Sequence, residues 1–146
     1  MSWVVLRVAP DPARLGVVRM AVVSMARVDG LDECLIEDLR LATTEAAGRA
    51  IAAHRANDID DPVTVELHIT DRDVVVRVAD SEPSGPGESY VELRDDDLTM
   101  QGPAVPRVPE QLAVVGGIAD ELEVRLGMDG TNVTMRWSRE GHERRS

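Results

Sequence analysis

The chain has 146 residues, 43% of them hydrophobic but only 2% aromatic and with no Phe, so a single globular domain with an aliphatic core is expected. Its formal net charge of −11 repels phosphate backbones and anionic lipid heads, which argues against nucleic acid and membrane surfaces as partners. The one cysteine, Cys34, excludes an intramolecular disulfide and every multi-Cys metal site.

No apolar run approaches the roughly 18 residues of a membrane span, and the first residues lack the basic start of a signal peptide. A cytoplasmic protein is therefore expected. All 16 basic residues are Arg, a usage that suggests a GC-rich bacterial genome.

Trp3-Val4-Val5-Leu6-Arg7-Val8 is a short β-rich run, stopped by Pro10-Asp11-Pro12. Asp11 can cap a helix with Pro12 at its first position. Leu15, Val18, Val22 and Met25 then follow helical spacing from Ala13 to Val28, with Arg14, Arg19 and Arg27 elsewhere on that helix. Asp29-Gly30 ends it, and Asp32 caps a second helix that runs to about His54.

On this second helix, Leu35, Ile36, Leu39, Ala42, Ala46, Ala50 and Ala53 share an apolar face, while Glu33, Glu37, Arg40 and Thr44 lie opposite. Asp38, Glu45 and Arg49 form a third ridge along one border of the apolar face. There a helix lining a pocket would present polar groups without burying them. Cys34 is expected in the core or at its border.

Val63 to Thr70 alternates, with Val63, Val65, Leu67 and Ile69 on one side and Thr64, Glu66, His68 and Thr70 on the other. Asp71-Arg72-Asp73 turns the chain into a second strand, Val74 to Ala79, and the pair makes a hairpin. Residues 81–108 carry prolines, glycines and the triplet Asp95-Asp96-Asp97, and read as a lid-like or binding loop with room for a helical turn around Val91 to Leu98. The triplet is a solvated acidic loop more readily than a cation site. A third helix is expected from Pro109 to about Ile118. Strands from Leu122 to Leu126 and Val133 to Trp137 follow, joined through Asp129-Gly130. His54 and His68 have no partners arranged for a metal, and none is predicted.

The order β-α-α-β-β-loop-α-β-β, with sequential hairpins, predicts an α+β fold: a two-layer sandwich in which a mostly antiparallel sheet carries three helices on one face. It is expected to fill residues 1–138 as one domain, followed by a charged tail over 139–146.

The element order and several motifs resemble the bacterial anti-sigma factors that are also serine-protein kinases, built on the GHKL (Bergerat) ATP-binding fold. The most specific match is Asp38-Leu39-Arg40-Leu41-Ala42-Thr43-Thr44-Glu45-Ala46, which resembles the family's long helix with its Glu. The resemblance implies that Glu45 is the base that activates a hydroxyl. It places Arg49 where the family has an Asn that helps to hold Mg²⁺. Asp80, after the strand Val74 to Ala79, matches the Asp that accepts a hydrogen bond from the adenine amino group, although the following glycines are replaced by Ser81-Glu82-Pro83. Ile118-Ala119-Asp120-Glu121-Leu122-Glu123-Val124 resembles the family's helix-to-strand junction, but Pro109-Glu110-Gln111 stands where a Gly-x-Gly would approach the phosphates. Gly130-Thr131-Asn132-Val133-Thr134-Met135 resembles the terminal strand whose Thr, here Thr131, lies beside the adenine.

Arg has donors and no acceptor lone pair, so Arg49 cannot ligate Mg²⁺, though it can hold a phosphate directly. Pro109 lacks an N–H, and Glu110 brings negative charge toward a triphosphate. The resemblance therefore implies an anti-sigma factor that sequesters a sigma factor, with a STAS-type anti-anti-sigma protein as its second partner and a homodimer as its assembly. ATP and Mg²⁺ binding, and with them the kinase step, are expected to be lost or impaired. Two alternatives stand beside this: an active ATP-dependent kinase that phosphorylates its anti-anti-sigma partner, and a domain that binds another nucleotide through Arg49.

Each site residue also has a plain structural reading. Glu45 and Arg49 make an i,i+4 surface pair worth about 0.3–0.5 kcal/mol. Asp80 suits a turn at a strand end, and Thr131 is a β-former after a glycine.

Overall fold

Apolar residues at every second position of four strands build one face of the sheet, and a long alanine-rich helix covers it. In the structure, a computed structural model that describes residues 2–83, 89–94 and 110–140, the chain runs through β1 (Ser2–Val8), a 3-10 turn (Pro12–Arg14), α1 (Leu15–Val28), α2 (Glu33–Ala56), β2 (Val63–Ile69) and β3 (Asp73–Ala79). It continues through β4 (Ser89–Arg94), α3 (Glu110–Gly116), β5 (Glu121–Gly127) and β6 (Gly130–Ser138). The strands form one antiparallel sheet in the order β1-β2-β3-β6-β5-β4.

Val63, Val65, Leu67 and Ile69 of β2 are buried with Val74, Val76 and Val78 of β3. Leu122 and Val124 of β5 and Val133, Met135 and Trp137 of β6 complete the inner face. Val18, Val22 and Ala26 of α1 and Leu35, Ile36, Leu39, Ala42, Ala46 and Ala50 of α2 join the same core, so the helices lie on one face as expected. The other face carries charge pairs at 3.7 Å for Arg77–Glu66 and 3.6 Å for Arg136–Asp73. There Trp3 stacks on its cross-strand neighbour His68, ring centroids 6.0 Å apart.

The structure differs from the sequence reading at several places. Ser89–Arg94 is a strand within the stretch read as a loop: β5 has an edge of unpaired N–H and C=O groups, and Tyr90-Val91-Glu92-Leu93 is β-prone sequence that pairs with it. Asp11 caps the 3-10 turn by accepting from Ala13 N at 3.0 Å, and α1 begins after that turn. Asp32 occupies the N-cap of α2 but makes no side-chain cap bond. Cys34 is exposed, because it falls one step off the apolar stripe set by Leu35 and Ile36. Ala53 is half-buried, whereas Thr43, Ala47, Ile51 and His54 join the buried side of α2. The Asp95-Asp96-Asp97 triplet, Pro109, most of the 81–108 loop and residues 141–146 lie outside the described residues.

The β5–β6 hairpin closes on two residues, Met128 and Asp129, between paired Gly127 and Gly130. Gly130 has φ +139°, a conformation that side chains rarely adopt. A Cβ there would overlap the Asp80 carbonyl oxygen and lie 2.8 Å from its carbon. Gly130→Ala is therefore expected to lower stability by at least about 2 kcal/mol, read from a urea melt followed by circular dichroism. Fully buried Trp137 donates through Nε1 to Ile118 O at 3.2 Å and ties β6 to the segment after α3. Trp137→Phe is expected to cost about 1–3 kcal/mol in the same melt.

Candidate functional site

Asp80 is placed by the β3–β6 ladder, which runs one bond past the end of β3. Its backbone N–H donates to Thr131 O at 3.0 Å. Gly130, without a side chain, lets the start of β6 approach the Asp80 backbone. The Asp80 carboxylate then folds back on its own turn. Oδ1 accepts from Glu82 N at 2.9 Å and from Thr131 N at 3.2 Å. Oδ2 accepts from Arg49 Nη2, which reaches it from α2.

The Asp80 carboxylate has 0% exposure and the Arg49 side chain 8%, so the pair is desolvated. Arg49 Nη1 also faces Glu82 Oε2 at 3.8 Å, while its Nε is buried without a hydrogen-bond partner. His54 of α2 and Asn57, which caps that helix, hold the same turn. Ser81 N donates to His54 Nε2 at 2.8 Å, and Asn57 Nδ2 donates to Glu82 Oε1 at 3.0 Å. Because His54 Nε2 accepts, the ring proton is on Nδ1, which donates to Asp61 O at 2.9 Å. Fully buried His54 thus links the polar connector before β2 to the turn after β3.

Of the four site residues read from the sequence, the structure brings Arg49, Asp80 and Thr131 into direct contact. Thr131 is buried and joins the site through its backbone. Glu45 is half-buried one helical turn before Arg49, and makes no hydrogen bond or ion pair among the described residues. The i,i+4 pair is therefore not formed: Arg49 turns to Asp80 instead, and it is buried where the ridge was expected to stay on the border.

His54, Asn57, Glu82 and Gly130 were not singled out as part of the site. His54 had a signal, since it extends the helical series Leu39, Thr43, Ala46, Ala47 and Ala50, and a buried imidazole there requires partners. Glu82 had none, lying in a Pro-rich stretch with no period. Gly130 was legible as a hairpin residue, but its contact with Asp80 is tertiary.

A nucleotide placed as the resemblance implies would need the Asp80 carboxylate as an acceptor and a lone pair at position 49 for Mg²⁺. The carboxylate has no exposed surface, and a guanidinium offers no lone pair. Arg49 already faces two carboxylates, Asp80 and Glu82. The residues present do not fit Mg·ATP in this arrangement. Among the described residues no group of three or more His, Cys, Asp or Glu side chains is arranged to hold a metal ion. No helix among them is long and apolar enough to cross a membrane.

No curated protein matches this sequence. Among solved structures, that of the RsbU and RsbW domains of Rv1364c from Mycobacterium tuberculosis shares its fold, with a TM-score of 0.69 and 18% sequence identity. The alignment covers 95% of this chain and 33% of that one, so the chain spans about a third of its neighbour's length. The family of histidine kinase-like ATPase domains matches residues 8–137, nearly the whole sandwich. The chain belongs to that family and has its GHKL fold.

Proposed function

We propose that this domain is a regulator of the anti-sigma type, which sequesters a sigma factor and yields it to a STAS-type anti-anti-sigma partner. The observation that carries this reading is the outer face of α1. Val17, Met20 and Val28 are 48%, 69% and 82% exposed. With Ser24 they fall within about 80° of helical arc, a continuous stripe. Arg14 and Arg27 flank it, Arg19 lies further round, and no carboxylate occurs between Pro12 and Val28 of a chain whose net charge is −11. Arg14 and Arg19 form no ion pair among the described residues. A basic-rimmed apolar stripe on an acidic domain is an arrangement that a protein partner covers.

The start of α2 adds a polar border to this face. There Arg40 hydrogen-bonds Glu37 at 2.8 Å, and that bond, reinforced by its charge, holds the Glu37 carboxyl below the usual carboxylate range. The sequence resemblance puts the sigma-binding surface of the family around the first helix and the start of the long one, which is this region. The neighbouring structure includes an RsbW domain, which supports the same reading. β1 ends the sheet with Trp3 and Val5 exposed, and a second copy docked there would give the homodimer.

A kinase step is not part of this proposal, because phosphoryl transfer requires a held metal ion and Arg49 has no lone pair to give one. Met20→Asp is expected to weaken sigma-factor binding at least tenfold in calorimetry while leaving the melting temperature within about 2 °C, since the side chain is mostly in water. Glu45→Gln is expected to leave binding unchanged. Full affinity in Met20→Asp together with Val17→Asp, or a large loss in Glu45→Gln, would count against the reading.

A further inference from the structure

Within the site, the donors to Asp80 are of two kinds. Its Oδ1 serves the turn and the sheet through two backbone N–H groups, as a carboxylate at a strand end commonly does. Its Oδ2 is turned toward α2, away from both. A buried carboxylate oxygen requires a donor, and in an ATP-binding domain the exocyclic amino group of the base is a donor of the right kind. Here the donor is Arg49.

The fit around Arg49 is uneven. Nη2 is satisfied by Asp80, Nη1 is 3.8 Å from Glu82, and Nε has no acceptor. A guanidinium placed to satisfy itself would not leave a buried N–H unpaired. Its position is set by what Asp80 lacks. The contacts beside it follow the same direction, with His54 holding Ser81 N and Asn57 holding Glu82, so that residues 80–82 are fastened to α2 at three successive positions.

We propose that Arg49 is a built-in ligand: it takes the donor position on Asp80 that the base of a nucleotide would take, and pins residues 80–82 against α2, so that the folded state does not use ATP as an input. The proposal concerns the Asp80 site alone and does not depend on what α1 binds.

Thermal melts with ADP and with ethylguanidinium, on the wild type and on Arg49→Ala, test it. The wild type is expected to melt at the same temperature with and without millimolar ADP. Arg49→Ala is expected to melt roughly 10 °C lower, because it strands a buried carboxylate. Millimolar ADP, and ethylguanidinium as a refill of the missing group, should each recover several degrees in the variant only. Stabilisation of the wild type by ADP, an unchanged melting temperature in Arg49→Ala, or a variant that ADP does not move would each overturn the proposal. Should Arg49→Ala not fold, the double variant Arg49→Met with Asp80→Asn, which removes both charges at similar volume, is expected to fold and to melt within a few degrees of the wild type. A double variant that also fails to fold overturns it. Loss of sigma binding in the α1 variants would leave every one of these outcomes unchanged.

Discussion

A carboxylate with no exposure to water is the constraint around which this half of the molecule is arranged. Asp80 is held by donors from three places: Thr131 at the start of β6, the turn at Glu82, and α2 through Arg49. Removing two unit charges from water costs several kcal/mol per ion before their attraction is counted, so the pair persists only with its remaining lone pairs satisfied. Backbone N–H groups do this on one side. Sheet and helix layers are thereby joined by a polar cross-link as well as by the apolar core.

That cross-link needs α2 close to the sheet, and the composition of α2 provides it. Ala42, Ala46, Ala47 and Ala50 are buried and short, so the helix lies low over β2 and β3. On the side toward α1, Gly48 faces Leu15, whose Cδ1 would be 3.8 Å from an added Cβ, an ordinary contact. The site geometry at Gly130 has no such margin, since there the neighbour is rigid backbone. Packing around α2 tolerates small changes, whereas the β6 entry beside Asp80 does not.

Much of this fold was legible because it rests on period. The alternation of β2 and β3 and the 3.6-residue stripe of α2 each predict a buried face, and those faces are buried. Local turn chemistry was legible too, at Asp129-Gly130 and at Asp11-Pro12. What was not legible depends on contacts far apart in sequence. β4 forms because β5 offers an edge, and nothing in Ser89–Arg94 alone announces that edge. Cys34 is one helical step from a buried position, a difference that periodicity does not resolve. The choice made by Arg49 is the clearest case: its sequence neighbour Glu45 offers a weak, partly solvated pair, while Asp80 offers a desolvated carboxylate whose Oδ2 is not served by the backbone N–H groups on Oδ1.

The Asp80 site and the α1 stripe also stand in different places. Val17, Met20 and Val28 lie on the exposed side of α1, whereas Arg49, His54 and Asn57 face the turn after β3 from the C-terminal half of α2 and its cap. Effects at sites that share no partners add with little coupling. On the proposal that Arg49 takes the place of a nucleotide's base, the ion pair at Asp80 leaves the surface on the first helix undisturbed. The exchange requires only that some donor remain on the buried acid. A long, always-charged side chain at position 49 meets that requirement by itself. It also fixes in the chain an interaction that, in an ATP-binding relative, would come and go with the concentration of ligand.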